Sequence, residues 1–289
     1  MKKRVVTSNM ICFLLLAAFL AAHMVSIVQA SNASVTYCPN PPPEMEQGEN
    51  QVSLAYINAI NEVIRDYGNF QFRANEQESS VTRDRVSYLA YYCETNYNFV
   101  MVFYKGHSST YTCSGGRTHS FIMDYTGQPA GNIQDAYIWT KTINNRHDFV
   151  FLWSCGMASA DMFPGGYCSG CGGGWGMCYS WLKIIGLESD GYKSPDSSGH
   201  VFLGFNWSSP NFKTLIGNSG YNYGAFALFF YMGLLQNGYS VNAALDYASR
   251  RTFGVAFGDS PLYSGMAGLQ GGITALKVFG DGSRGLPRR

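Results

Sequence analysis

Two residue types that can act together on a carbonyl group follow two apolar runs of this 289-residue chain. His107 comes just after FVMVFYKG, and Cys155 follows FVFLWS 48 positions later. A thiol with a pKa of about 8.5 is mostly protonated at neutral pH, so it is a weak nucleophile unless a neighbour accepts its proton or stabilises the thiolate. An imidazole can do both, and thiolate attack on a carbonyl then forms an acyl-enzyme. The two residues are therefore a candidate dyad, with His107 as general acid/base and Cys155 as nucleophile.

The same two residues also have simpler interpretations. His107 could be a histidine that only makes local hydrogen bonds, and Cys155 could be a buried thiol or half of a disulfide. A dyad role and a disulfide are mutually exclusive for Cys155. Gly106 and Gly156 beside the two residues allow turns whose backbone N–H groups can bind an oxyanion.

The elements around the pair predict how they are positioned. The apolar runs are continuous rather than alternating and flank a predicted helix over residues 131–145, capped by Asn132, which favours parallel strands buried on both faces. Parallel neighbours end at the same edge of a sheet, and ligands bind at that edge in open α/β folds. His107 and Cys155 are then expected a few ångströms apart.

Further periodic segments complete an α/β pattern. We predict an amphipathic helix over residues 51–67, a second helix capped by Ser80 or Thr82, and a hairpin around Ser114 to Gly116. A third apolar strand, HVFLGFN, precedes a long helical stretch that breaks near Asn237, and ITALKVFGDG ends the chain with a last strand. The predicted fold is a three-layer α/β sandwich with a mostly parallel central sheet.

The N-terminal 30 residues have the character of a signal peptide: MKKR, a long apolar core, and VQA before Ser31. Retention as an uncleaved anchor is the alternative, because the apolar run is nearly long enough to span a bilayer. We interpret residues 31–50 as an irregular N-terminal arm and residues 51–289 as one domain. The predicted location is secreted or extracytoplasmic.

Net charge excludes some classes of partner. Loss of Lys2, Lys3 and Arg4 with the leader takes the 20 basic residues to 17, against 19 acidic ones. No basic patch predicts a nucleic-acid partner, and no charge pattern predicts binding to a membrane surface unless the leader is retained.

Cysteine usage is the other constraint. Beyond Cys12 the chain has seven cysteines, and an odd number leaves one thiol unpaired. In an oxidising compartment we expect disulfides among the six other than Cys155, which are Cys38, Cys93, Cys113, Cys168, Cys171 and Cys178. A zinc site formed by Cys168, Cys171 and Cys178 with Cys113 is the alternative, but our prediction includes no metal and no cofactor. His119, His147 and His200 are interpreted as structural.

The motifs taken together resemble a known group. FVMVFYKGHSS resembles the strand and His motif of the caspase, legumain and gingipain cysteine peptidases, and FVFLWSCGMAS resembles their strand and Cys motif. The order of His before Cys, and a spacing close to the roughly 50 residues of caspases, agree with this group and not with papain-like enzymes. HVFLGFNWSS and LKVFGDG are similar to later strands of gingipain-like and CHAT-type members. The resemblance implies the caspase-haemoglobinase fold.

The resemblance also implies a function. It predicts an endopeptidase acting on protein or peptide substrates through His107 and Cys155, with backbone amides near Ser108 or Gly156 binding the oxyanion. Members of the group usually have Gly directly after the His, where this chain has Ser108. The resemblance further implies selection of one P1 side chain, for which we name Asp161, Trp207 and Ser208 as candidate substrate-binding residues. The alternative is a catalytically inactive exported domain of the same fold that binds a partner or a glycan.

Overall fold

A computed structural model describes residues 31–39, 48–162, 165–268 and 271–289. The predicted signal peptide, residues 1–30, lies outside the described residues. None of the helices in the described part of the chain has the length and apolar character required to cross a lipid bilayer.

The described ranges contain thirteen strands. In chain order they are β1 (Asn32–Cys38), β2 (Phe72–Gln77), β3 (Phe99–Lys105), β4 (Ser108–Thr112), β5 (Thr118–Ile122), β6 (Ile133–Gln134), β7 (His147–Trp153), β8 (Gly166–Cys168), β9 (Gly173–Trp175), β10 (Val201–Phe205), β11 (Met266–Ala267), β12 (Ile273–Thr274) and β13 (Leu276–Gly280). Six of them form the central sheet in the order β13-β10-β7-β3-β1-β2. All neighbours in this sheet are parallel except β13, which is antiparallel to β10.

Seven α-helices accompany the strands in the same ranges. They are α1 (Glu49–Tyr67), α2 (Arg83–Asn96), α3 (Asp135–Trp139), α4 (Met177–Leu182), α5 (Tyr223–Tyr231), α6 (Val241–Thr252) and α7 (Pro261–Ser264). A π-helical turn, Met232–Gln236, continues α5, and the chain then leaves the helix before α6 begins. The predicted break near Asn237 is thus confirmed.

Helices cover both faces of the central sheet because its strands are apolar on both faces. All seven residues of β3 and of β7 are buried. On one face Met101 and Phe103 pack in a core cluster with residues of α1, α5 and α6, and on the other Val100 and Val102 pack with residues of α2, α3 and α4. The predicted α/β class with a mostly parallel central sheet is confirmed, and the helices flank that sheet on both sides.

The interpretation of residues 31–50 as an irregular arm is wrong for Asn32–Cys38. This segment is β1, buried along its whole length and paired in parallel with both β2 and β3. Its alternating small polar and apolar residues resemble a surface segment, but Ala33 and Val35 pack against one core cluster while Thr36 hydrogen-bonds Asn61. The proline-rich character begins only after Cys38.

Local predictions elsewhere agree with the structure except between β5 and β7. Thr82 caps α2 by accepting a hydrogen bond from the N–H of Arg85, and the predicted hairpin is formed by β4 and β5. The helix predicted over residues 131–145 is wrong in extent, because only Asp135–Trp139 are α-helical and Asn132 is not the cap. Ile133 and Gln134 instead pair with β5.

Candidate functional site

The candidate dyad residues lie just beyond the carboxyl ends of two adjacent strands. β3 and β7 are parallel neighbours, and Lys105 pairs with Trp153 at their last register position. His107 and Cys155 therefore each follow the last paired residue by two positions. The two strands are parallel neighbours, which is the arrangement on which the expected dyad depends.

Hydrogen bonds hold the two segments together past the strands. Ser154 Oγ donates to the carbonyl of Gly106 at 2.9 Å, and Ser108 Oγ donates to the carbonyl of Cys155 at 2.5 Å. The segment that contains His107 and the segment that contains Cys155 are thus hydrogen-bonded to each other at one edge of the sheet.

Cys155 has an unpaired thiol that is partly exposed. Its Sγ accepts the backbone N–H of Ser209 at 3.3 Å and lies 3.8 Å from Ser209 Oγ. Ser209 was not among the residues predicted from the sequence, although Ser208-Ser209-Pro210 follows β10, the next parallel strand, and so reaches the same edge.

His107 is half-buried, and its carbonyl accepts the N–H of Met123 at 2.9 Å. Burial lowers the pKa of its imidazole, the nearby Lys105 ammonium lowers it further, and Glu49 partly opposes both effects. The ring is therefore neutral at pH 7 and able to accept a proton. Among the residues that the structure describes, no hydrogen bond joins this imidazole to the thiol of Cys155.

A buried ion pair lies beneath this edge. Lys105 Nζ is 3.1 Å from Glu49 Oε1, and the two side chains are 4% and 0% exposed. Glu49 also accepts the backbone N–H groups of Phe212 at 2.8 Å and Lys213 at 3.0 Å. The end of β3, the start of α1 and the loop after β10 are thereby joined through one carboxylate. The only sequence signal for this pair is a lysine at the end of an otherwise apolar strand.

Gly156 does not present a free amide in this conformation. Its φ of 66° is in the left-handed region that favours glycine, and its N–H donates to the carbonyl of Trp207 at 2.6 Å. The predicted oxyanion role of Gly156 requires this bond to open. The amide that hydrogen-bonds the sulfur is that of Ser209.

Two adjoining cavities lie at the same edge. The first, about 370 Å³, contains the candidate nucleophile, and its lining residues are Ser108, Ser109, Thr110, Cys155, Gly156, Trp207 and Ser208. The second, about 490 Å³, is lined by residues that include Asp161, Asp190 and Lys277. Trp207, which is 46% exposed, lines both cavities. The structure thus places Trp207 and Ser208 in the first cavity with Cys155, and Asp161 in the second, whereas His107 does not line the first cavity.

Two of the histidines interpreted as structural lie at the other edge of the sheet. His147 is the first residue of β7, and its Nδ1 is 2.5 Å from Glu94 Oε2, with both side chains fully buried. Burial opposes ionisation of Glu94, but hydrogen bonds from His147 and from backbone amides hold its pKa below the ordinary value. His200 directly precedes β10. Neither imidazole is placed to act on Cys155.

The disulfides expected among the six cysteines other than Cys155 are present in part. All seven cysteines after Cys12 are described, and of these only Cys113 and Cys171 are joined. Cys38 and Cys93 are in different core clusters, and burial raises the pKa of each to about 12. The two thiols cannot pair with each other because they lie in different core clusters, and burial keeps both away from the cysteines of the surface loops.

No protein-family model matches the chain, and none of the curated proteins matches it either.

Proposed function

We propose that this protein is a secreted cysteine endopeptidase with a caspase-haemoglobinase-like fold. The observation that supports this most directly is the unpaired thiol of Cys155, which lies in a cavity at the carboxyl edge of a parallel sheet. The neighbouring strand end supplies His107 in a neutral state. The order of the motifs, with His before Cys, is that of the group that the sequence resembles.

In the proposed reaction, the imidazole of His107 accepts the thiol proton and the Cys155 thiolate attacks the carbonyl carbon of the scissile peptide bond. The negative charge moves to the carbonyl oxygen, where backbone N–H groups such as those of Ser108 and Ser209 can bind it. The imidazolium then donates its proton to the leaving amine, which leaves an acyl-enzyme. Water attacks the thioester with His107 as base, and the thiol is regenerated. Rotation of the His107 side chain has to bring its ring within hydrogen-bond distance of the sulfur.

The second cavity supports a preference for a basic P1 side chain. Asp161 and Asp190 contribute two carboxylates, against the single ammonium of Lys277. Asp190 is held in place because it accepts the hydroxyl of Tyr263 at 2.5 Å. We propose that a P1 Arg or Lys extends past Trp207 towards these carboxylates.

A catalytically inactive binding module is the second candidate. Two observations favour it: the Gly156 N–H is already bonded to Trp207, and no hydrogen bond joins His107 to Cys155 within the described ranges. In that case the exposed ring of Trp207 would contact a partner or a glycan.

Cleavage of a mixed peptide library by the purified full chain distinguishes the two. We expect Cys155→Ala to abolish cleavage and His107→Gln to reduce it by about 10²–10⁴-fold. His200→Gln, at the opposite edge of the sheet, is the matched control and should retain full activity. Asp161→Asn should selectively reduce cleavage after Arg and Lys.

Alkylation of Cys155 by iodoacetamide, followed by mass spectrometry, gives a readout that needs no substrate. Its rate at pH 7 should fall in His107→Gln and stay unchanged in His200→Gln. A wild-type protein that cleaves no peptide, and whose Cys155 reacts equally fast with and without His107, would exclude the peptidase and favour the binding module.

A further inference from the structure

A second cluster of reactive side chains lies outside the candidate active site. It is formed where the β4–β5 hairpin meets the β8–β9 hairpin. Cys113 is in the turn after β4 and His119 is on β5, while Cys168 ends β8 and Cys171 is in the turn that follows. One ligand atom from each of the four residues lies within 4.8 Å of those of the other three.

Glycines make this meeting of hairpins possible. A Cβ on Gly170 would be 2.6 Å from Cα of Gly115, a separation that no side chain tolerates. A Cβ on Gly115 would lie 3.1 Å from the sulfur of Cys168. The backbones of the two turns are therefore in contact. Glycine at positions 115 and 170 is what allows the two hairpins to approach this closely.

The donor set is one that zinc prefers. Three thiolates and one imidazole form a common structural site with tetrahedral geometry and Zn–S distances of about 2.3 Å. A tetrahedron with such bonds separates its sulfur atoms by about 3.8 Å. Sγ of Cys113 and Sγ of Cys168 are 3.5 Å apart, which is close to that spacing.

His119 is held as a metal-binding histidine would be. Its Nδ1 is 2.7 Å from Oδ1 of Asp135, and both side chains are completely buried. Asp135 is itself fixed by the backbone N–H groups of Ser120 at 3.0 Å and Gly176 at 2.8 Å. The carboxylate holds the Nδ1–H tautomer, which leaves the lone pair of Nε2 available.

The second nitrogen of the ring has no hydrogen bond of good geometry. Nε2 of His119 is buried, and apart from an interaction with the thiol of Cys168 it has no polar partner. A buried polar atom without a partner costs free energy, so native structures rarely leave one unless something else satisfies it. A bound metal ion would do so, and the carboxylate–histidine–zinc arrangement with Asp135 is a recurrent feature of zinc sites.

We propose that Cys113, His119, Cys168 and Cys171 form a Cys₃His zinc site, and that the Cys113–Cys171 disulfide is its oxidised, metal-free form. A dithiol reductant breaks the sulfur–sulfur bond and is itself oxidised to a disulfide, while two electrons and two protons pass to Cys113 and Cys171. Zn²⁺ then binds three thiolates, and the thiol protons are released to solvent. The site ties two surface hairpins together, and it is independent of the proposed peptidase chemistry.

The ligand set differs from the zinc alternative that the sequence suggested. Cys178 is not a member, because it lies on α4 and is buried in the core beneath the sheet. His119 takes its place through the pairing of β5 with β4. This difference supplies a matched control.

The test uses the full chain, reduced with a dithiol and then equilibrated with Zn²⁺ or Co²⁺. We expect one zinc per chain by elemental analysis for the wild type and for Cys178→Ser. Cys168→Ser and His119→Gln should lose it, and Asp135→Asn should bind zinc about 10–100-fold more weakly. The Co²⁺ form of the wild type should show thiolate-to-cobalt charge transfer and tetrahedral d–d bands, a result that needs no variant to fold.

Two outcomes would overturn the proposal. The first is a reduced wild-type chain that binds neither ion while the thiols of Cys113, Cys168 and Cys171 react with a thiol reagent. The second is zinc that is retained equally by Cys168→Ser and by the wild type. Peptide cleavage is not part of the readout, so failure of the peptidase proposal leaves this result unaffected.

Discussion

The buried ion pair of Lys105 and Glu49 allows a quantitative prediction about the candidate site. The two variants to compare are Glu49→Gln and Lys105→Met, together with the double variant. Each single change removes one charge of a pair whose atoms are 3.1 Å apart and screened from water. The two single variants should differ in stability, because the charged group that remains buried has different hydrogen-bond partners in each.

Glu49→Gln leaves a buried ammonium without a counter-ion, at an expected cost of about 3–5 kcal/mol in the free energy of unfolding. A drop of 3–5 kcal/mol corresponds to a fall of about 6–20 °C in Tm for a domain of this size.

Lys105→Met should cost less. The carboxylate of Glu49 keeps three hydrogen-bond donors: the N–H groups of Phe212 and Lys213, and the hydroxyl of Ser53 at 3.0 Å. Hydrogen bonds to a charged group contribute about 1.5–3 kcal/mol each, so the remaining anion stays largely compensated. The double variant should be more stable than Glu49→Gln alone, because it no longer buries an unpaired cation.

Urea-induced unfolding at 25 °C measures these differences, with Glu62→Gln on the exposed face of α1 as the matched control. The pKa of His107, followed by NMR of its ring C–H, gives a second readout. Burial, then the Lys105 ammonium, lowers that pKa, while Glu49 raises it. It should thus rise in Lys105→Met and fall in Glu49→Gln. Lys105→Met costing more than Glu49→Gln, or a His107 pKa that moves the same way in both, would refute the reasoning.

Three further predictions concern the scaffold. Burial raises the pKa of Asp148 to about 7, and its Oδ2 has no hydrogen-bond partner. The stability that the protonated carboxyl group contributes is therefore complete below about pH 4 and is lost as the pH rises through about 7. Asp148→Asn should accordingly raise stability at pH 8 by at most about 4 kcal/mol and change it little at pH 4, and equal shifts in urea midpoint at both pH values would contradict this. Thr82→Ala removes the acceptor for Arg85 N–H at 3.1 Å and should cost about 1 kcal/mol, measured by urea unfolding. Phe103→Ala removes a buried ring that packs against Phe151 and Tyr231 and should cost about 3–5 kcal/mol. Ile143→Ala, at a side chain that is 57% exposed, should change stability by less than about 0.5 kcal/mol in the same assay.

Local signals in the sequence were sufficient for the central strands. Continuous apolar runs determine β3 and β7, because a strand buried on both faces cannot contain polar residues without partners for them. They were insufficient for β1, where the side chains of Asn32 and Thr36 obtain partners only after folding. Thr36, for example, donates to Asn61 on α1, 25 positions away. A segment whose polar groups are satisfied by long-range contacts looks like a surface segment when read alone.

The cysteines show the same limit. Their number predicted an unpaired thiol, and Cys155 is one, but four others are unpaired as well. Pairing requires two Cβ atoms to come within a few ångströms in compatible directions, which depends on how loops meet and not on composition. The cluster around His119 could not be assigned from spacing, since its members come from two hairpins about 50 residues apart.

The sequence by itself determined that His107 and Cys155 each follow a strand buried on both faces, because a continuous apolar run and the residue that ends it are local properties of the chain. Only the tertiary structure decided that the N–H of Ser209 donates to the sulfur, that the carbonyl of Trp207 accepts the N–H of Gly156, and that Glu49 pairs with Lys105 beneath the site. Each of these contacts joins segments more than 50 residues apart. Their partners are selected by packing of the whole chain, so no local pattern specifies them.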